Sequence, residues 1–421
     1  MKIVSHLALA LALGGLAVAT PASAAKKKDE AAAPKKNYSK EALAPLAAAQ
    51  KALDGNDAAT AAAELEKARA AATTEDDKYA TGSLMYKLSQ QNKDNALQAQ
   101  AIDLMVSSGR ADPAVLPQLY IAQAQLAWEK KDYPRVEQAL TAAQQSGTDN
   151  TDIVPMLVMA QSNQGQPLKA LQTVNTAIDK QVAAGKPVPA EWYERGVDLG
   201  YRAKANPADA PAINAATLEV TKKWVAAYPT KKNWNNALRV YGDRANLDTA
   251  AQVDVFRLLR HANALSGDVD YREYALDVYM RFPNEAMSVL QEGSSKGVVN
   301  LTGKNDATDV MAQVKAKVPG DKASLAGADK SARAAATGKG ALSTADALVG
   351  YGEYAKAVDL YKVAMSKGGV DNNVANLHMG WALAQSGDAA GAKTAFGQVQ
   401  GQLKPIADFW VIHLDHPTTE A

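Results

Sequence analysis

Turn signals recur along this chain at an interval close to 34 residues. KKDYPRVEQAL begins at Lys130, and QGQPLKALQTV begins 34 residues later at Gln164. Near the C-terminus GYGEYAKAVDLY begins at Gly350, and QSGDAAGAKTAF begins 35 residues later at Gln385. Two weaker turns, Gly55-Asn56-Asp57 and Asn92-Lys93-Asp94, come before the first pair. Each turn separates two stretches whose apolar residues fall at helical spacing, so the local unit reads helix A, short turn, helix B. One such hairpin buries too little surface to stand alone, and neighbours must stack on it. Hydrophobic residues are 47% of the 421 but aromatics only 6%, the difference being rich in alanine. Alanine favours helix over strand and lets helices approach closely. The expectation is an all-α chain, an α-solenoid of stacked antiparallel helix hairpins that is degenerate in the middle.

Inside the hairpins the residues resemble the tetratricopeptide repeat superfamily. A repeat of that family carries a bulky residue early in helix A and a small one mid-helix. Helix B opens on alanine, continues with a large residue and a small one, and often closes on proline. In the copy at 117–150 those roles fall on Tyr120, Ala124, Val136, Leu140 and Ala143. In the next copy they fall on Val154, Val158, Ala170, Val174 and Ala177, with Pro155 a departure that a first helical turn tolerates. PAEWYERGVDLGYR supplies Trp192 and Gly196; near the end Ala357, Tyr361 and Ala364 match one helix B, and Gly380, Ala392, Phe396 and Val399 match the last copy. The resemblance implies peptide or helix binding on the face lined by the A helices.

The pattern holds over about 41–200 and 338–400 and degrades between them. LEVTKKWVAAYP and YREYALDVYMRFP both read as helix B tails, closed by Pro229 and Pro283, and ANPADAP reads as an insertion. Helices are expected at 233–243, 249–265, 270–281 and 306–317, and EGSSKGVVNLTGK (292–304) is expected to be a loop or hinge. The domain reading is an N-terminal array over 39–230, a degenerate hairpin region over 231–337, and a C-terminal pair with a capping helix over 338–421. PIADFWVIHLDH supplies that cap, which an array needs to shield its last apolar face.

At the N-terminus Lys2 precedes an apolar run from Leu7 to Ala19, and Ala22-Ser23-Ala24 follows Pro21. A short charged region, an apolar region and an A-x-A site describe a secretory signal peptide over 1–24, with cleavage after Ala24. The chain then looks like an exported bacterial repeat protein, periplasmic or secreted. Residues 25–38 form a low-complexity basic linker containing Lys26-Lys27-Lys28 and Lys35-Lys36. Lys+Arg 46 against Asp+Glu 45 leaves no basic footprint for nucleic acid. Later segments fall short of the apolar length of a membrane span. The absence of cysteine excludes a disulfide scaffold, a thiolate metal site and lipoprotein attachment.

Motifs for chemistry are weak. Gly297 to Asn305 has one residue too many for a P-loop, and Asn305 stands where Ser or Thr must hold magnesium; Gly338-Lys339-Gly340 lacks the third glycine of a dinucleotide loop. No G-x-S-x-G or H-E-x-x-H occurs. His413, Asp415 and His416 offer a remote metal-binding alternative, since residues three apart share a helix face, but the bland reading is the polar end of a capping helix. His261 reads as a core-edge residue, and Glu75-Asp76-Asp77 as a helix N-terminus. No catalytic residue, metal or cofactor is assigned.

What remains is a surface. Helical spacing places Gln125 and Trp128, then Met159 and Asn163, then Tyr193 and Tyr201, then Trp381 and Gln385 on the A-helix faces. Aromatic rings and methionine beside amides suit peptide contact. The lysine and asparagine clamp of the carboxylate-binding subgroup is absent. The expected function is a scaffold that binds a peptide or helix of an envelope partner; the alternative is a structural spacer or subunit of an envelope assembly.

Overall fold

The computed structural model describes residues 36–204 and 206–419. The signal peptide expected at 1–24 and most of the expected basic linker lie outside the described residues. The chain divides into two compact units, one up to Thr173 and one from Val174. Among the described residues the secondary structure is twenty α-helices and one 3-10 turn. None of these helices is long and apolar enough to cross a membrane.

The first unit stacks α1 (Lys40–Asp54), α2 (Ala58–Ala71), α3 (Glu75–Asn92), α4 (Asn95–Ser107), α5 (Leu116–Glu129), α6 (Tyr133–Gln145), α7 (Ile153–Asn163) and the start of α8 (Pro167–Ala183). Consecutive helices pair antiparallel, α1 with α2, α3 with α4 and α5 with α6. The turns explain why. Asn56, Lys93 and Lys131 take the left-handed conformation that ends a helix A. The next residue is an aspartate that caps helix B: Asp57 accepts from the Thr60 amide, Asp94 from Ala96 and Leu97, and Asp132 from Arg135. The expected capping at Glu75-Asp76-Asp77 is present. Thr74 and Asp77 form a reciprocal capping box, and the buried Asp77 also accepts from the Ser39 amide, which pins the start of α1. Leu46, Leu53, Leu65, Leu84, Leu88, Ile102 and Met105 fill the core between α1 and α4.

In the second unit follow α9 (Ala190–Arg202), α10 (Ala210–Ala227), α11 (Lys231–Ala245), α12 (Thr249–His261), α13 (Gly267–Val278), α14 (Pro283–Ser295), α15 (Asp306–Ala334), α16 (Lys339–Gly350), α17 (Tyr354–Lys367), α18 (Asn372–Gln385), α19 (Ala389–Gly397) and α20 (Lys404–Asp415). The close pairs are α9 with α10, α13 with α14, α16 with α17 and α18 with α19. Small residues permit these approaches. A Cβ on Gly380 would stand 2.5 Å from the Phe396 ring, and one on Gly196 would stand 2.8 Å from Val220.

Three local expectations are corrected. YREYALDVYM is not a helix B tail: it lies largely in α13, which opens a pair, and Pro283 sits in the first turn of α14, where its missing amide costs nothing. EGSS at 292–295 completes α14, so the loop begins at Lys296. Helix α15 runs through Pro319 to Ala334 rather than ending at 317, because the alanine-rich stretch beyond the proline favours helix and buries Ala332 near its end.

The last helix does more than cover α19. It also packs on α10 and α12. Lys222 of α10 pairs with Asp408 at 3.0 Å, and the Thr419 amide donates to the Pro229 carbonyl at 2.8 Å. The second unit therefore closes on itself, and α12 lies inside it.

Candidate functional site

Helix α12 carries two faces of different character. Gln252, Val255, Phe256 and Leu259, at i, i+3, i+4 and i+7, form the floor of an open cleft of about 390 Å³. One wall is α11, with Leu238, Arg239 and Asp243, and the other is α13, with Glu273, Leu276 and Asp277. The volume falls within the range of ligand-binding clefts. Asp270 also reaches the cleft but is fully engaged. It pairs with Arg239 and accepts from Asn235 Nδ2 at 2.8 Å and from the Ser266 amide at 2.7 Å. Asp243, Glu273 and Asp277 have no cationic partner among the described residues. Asp277 holds its proton above the usual carboxylate range, first through partial burial and then through the neighbouring charge of Glu273. Glu273 and Asp277 stand at i and i+4, a like-charge pair that weakens its own helix.

The other face, Asp254, Arg257, Leu258 and His261, turns into the unit. Arg257 grips Glu285 with two bonds, Nε to Oε1 at 2.9 Å and Nη2 to Oε2 at 3.1 Å, and reaches Asp254 at 3.0 Å. Its guanidinium lies 4.1 Å from the Trp381 ring centre. His378 sits between two carboxylates, Nδ1 at 2.7 Å from Asp346 and Nε2 at 3.1 Å from Asp254. Tyr361 donates to Asp346 at 2.7 Å and Tyr274 to Glu285 at 2.6 Å. Burial alone pulls the His378 imidazole down, but Asp346 and Asp254 outweigh it and raise the group to about 10. Every charge in this cluster is paired, and all of it is buried. It offers no opening to a ligand and reads as a structural network joining α12, α13, α14, α16, α17 and α18.

Next to it, His261 and His413 meet edge-on at 5.2 Å, and His413 meets Trp234 at 5.3 Å. Burial, helped by His261, pushes His413 down to about 4. His413 is inside, while His416 is exposed at the end of α20. The two therefore present no common open face. Among the described residues no group of three or more His, Asp or Glu side chains is arranged to hold a metal ion.

The eight residues picked from spacing fall in different surroundings. Tyr193 is 2% exposed and packs edge-on against Tyr228, and Trp381 is 7% exposed against Arg257 and His378. Gln125, Trp128, Met159 and Gln385 are half-buried. Trp128 meets Tyr133 across the α5–α6 turn, and Gln385 bonds His261. Asn163 and Tyr201 are exposed, although the Asn163 amide donates back to the Met159 carbonyl at 2.9 Å. In the second unit the A-helix face of α18 is covered by α12, which is why its tryptophan is inside. Sequence reasoning passed over Asp243, Glu273, Leu276 and Asp277. The available signal was in α13, where the like-charged pair Glu273/Asp277 lies among Val269, Leu276 and Met280 at helical spacing.

No protein-family model matches the chain, and no curated protein matches it. Among solved structures it is similar to a chain in the structure of Naa15/Naa10 bound to HypK-THB, at 15% identity and a TM-score of 0.28. The match covers 86% of this chain and 65% of that one, so this chain spans about two thirds of its length. A superposition this loose identifies no shared site.

Proposed function

We propose that this protein is a non-catalytic scaffold, exported to the periplasm or beyond, whose helix hairpins hold a segment of an envelope protein. One observation carries the reading: the second unit leaves a cleft of about 390 Å³ whose walls bear the exposed Leu276 and three carboxylates with no cationic partner among the described residues. Such a surface costs stability when empty, and a bound segment repays that cost. The signal-like N-terminus supports export, and stacked hairpins suit extended contact surfaces. Fold alone does not set function, so the cleft and not the architecture is the argument.

The test is photo-crosslinking in the native envelope from positions 276 and 243. A specific heterologous envelope protein, captured from these positions and not from Glu194 on α9, is the expected result. Self-crosslinks alone, together with a concentration-dependent mass in light scattering, would replace the scaffold by a structural subunit of an assembly. Recovery of the full-length chain with its first 24 residues attached would remove the export part.

A further inference from the structure

We infer that the cleft between α11 and α13 receives one cationic amphipathic helix of a partner protein. Its apolar side chains would lie over Leu276 and the neighbouring Val269 and Met280, and its lysines or arginines would meet Asp243, Glu273 and Asp277. This rests on the scaffold reading and adds the chemistry of the ligand.

Charge complementarity is the first argument. The arginines of the three helices already have partners. Arg239 holds Asp270, Arg244 holds Asn214 and the Tyr201 carbonyl, Arg257 holds Glu285 and Asp254, Arg260 holds Glu292, and Arg272 holds Asp268. Arg239 lines the cleft but is taken by Asp270, so Asp243, Glu273 and Asp277 have no cation of their own among the described residues. A bound ammonium or guanidinium would relieve both the Glu273–Asp277 repulsion and the partial desolvation of Asp277.

Shape is the second argument. The floor runs from Gln252 to Leu259, which at about 1.5 Å per residue is roughly two helical turns. From Leu276 on the cleft wall, exposed apolar surface continues along the outward side of α13 and just past its end. Val269 is 44%, Leu276 40% and Met280 65% exposed. A free polyamine has no use for that apolar strip, whereas an amphipathic helix covers it. The cleft walls are helices whose backbone groups are internally bonded, so an extended strand finds no ladder to join, while a helix brings its own hydrogen bonds.

The experiment measures fluorescence anisotropy of a labelled 14-residue helical peptide with leucine on one face and lysine on the other. A second peptide carries glutamate for lysine. The protein is the full chain, the triple variant Asp243→Asn/Glu273→Gln/Asp277→Asn, and Leu276→Lys. A charge-matched control, Glu194→Gln/Asp309→Asn/Glu353→Gln, changes three exposed acids that do not line the cleft. Circular dichroism melts establish that each variant is folded. The expected result is binding of the lysine peptide, weakened at least tenfold by the cleft triple and by Leu276→Lys and unchanged in the control, with no binding of the glutamate peptide. Equal losses in the two triples, or no binding by the wild type, overturn the proposal. Full displacement by spermidine together with undiminished binding to Leu276→Lys overturns it in favour of a small-polycation site. The photo-crosslinking arm separates the two levels. If the cleft triple still captures the same envelope protein, the cleft assignment falls and the scaffold stands; if neither chain captures one, the scaffold reading itself falls.

Discussion

A left-handed residue followed by aspartate is the smallest unit of this architecture. The pair Lys131–Asp132 ends α5 and starts α6 in two residues, because one backbone reverses and the next side chain satisfies an orphan amide. Asp132→Ala should cost about 1 kcal/mol, seen as faster amide exchange in α5 and α6, while Lys131→Gly should slow it by relieving the left-handed lysine. Unchanged exchange in both variants would mean the turn is held by packing instead. At Gly380 the constraint is steric. A leucine there would push into Phe396 and should destabilise the second unit by about 1–3 kcal/mol. Five of the six tryptophans lie in that unit, so urea unfolding followed by tryptophan fluorescence reads the shift directly, and an unchanged midpoint would show that the α18–α19 joint can open freely. These residues were visible in the sequence because their partners are a turn or a hairpin away. Register was less visible: Tyr120, assigned a packing role, is half-buried, and the fully buried neighbours are Leu119 and Ile121.

At the scale of elements, α12 separates local from distant information. Its alternating pattern reads as an ordinary amphipathic helix, yet both faces are used, one as the cleft floor and one as a charged spine. Asp254 of α12 pairs with His378 of α18 at 3.1 Å, a pairing between distant helices that no spacing rule can suggest. Arg257→Ala should cost about 3–5 kcal/mol, since it leaves Glu285 buried without a cation and Asp254 with His378 alone. The measurement is the urea midpoint of the second unit. A loss below about 1 kcal/mol, the scale of exposed pairs, would show that water enters the network and screens it. Helix α20 teaches the same lesson. Its amphipathic pattern predicted a cap on α19, and the cap is there, but its return onto α10 depends on Asp408 and Thr419 reaching residues 186 and 190 positions earlier.

For the molecule as a whole, two histidines of the second unit set opposing pH limits. His378, raised in the folded state to about 10, contributes stability that is complete below its ordinary value near 6.5 and is lost as pH rises toward 10. His413, depressed to about 4, is buried neutral. Its contribution is complete above about 6.5 and is lost as pH falls toward 4, because the unfolded chain takes the proton first. His261, also lowered by burial, adds to that acid limb. Stability of the second unit should therefore peak near pH 6.5 and decline on both sides. Urea midpoints between pH 4 and 10 test it. His413→Phe should shrink the acid limb without abolishing it, and a wild-type profile flat from pH 4 to 6.5 would refute the buried neutral imidazole.

By itself the sequence determined the helix hairpins, their turns and the small residues at the joints, because helical period, capping and close approach are settled by residues within about 40 positions of one another. Only the tertiary structure decided that the second unit closes through α20, that α12 lies inside it, and which carboxylates are left without a cation. Those outcomes depend on which distant helices meet, and a side chain's charge becomes unneutralised only once every possible partner has been placed.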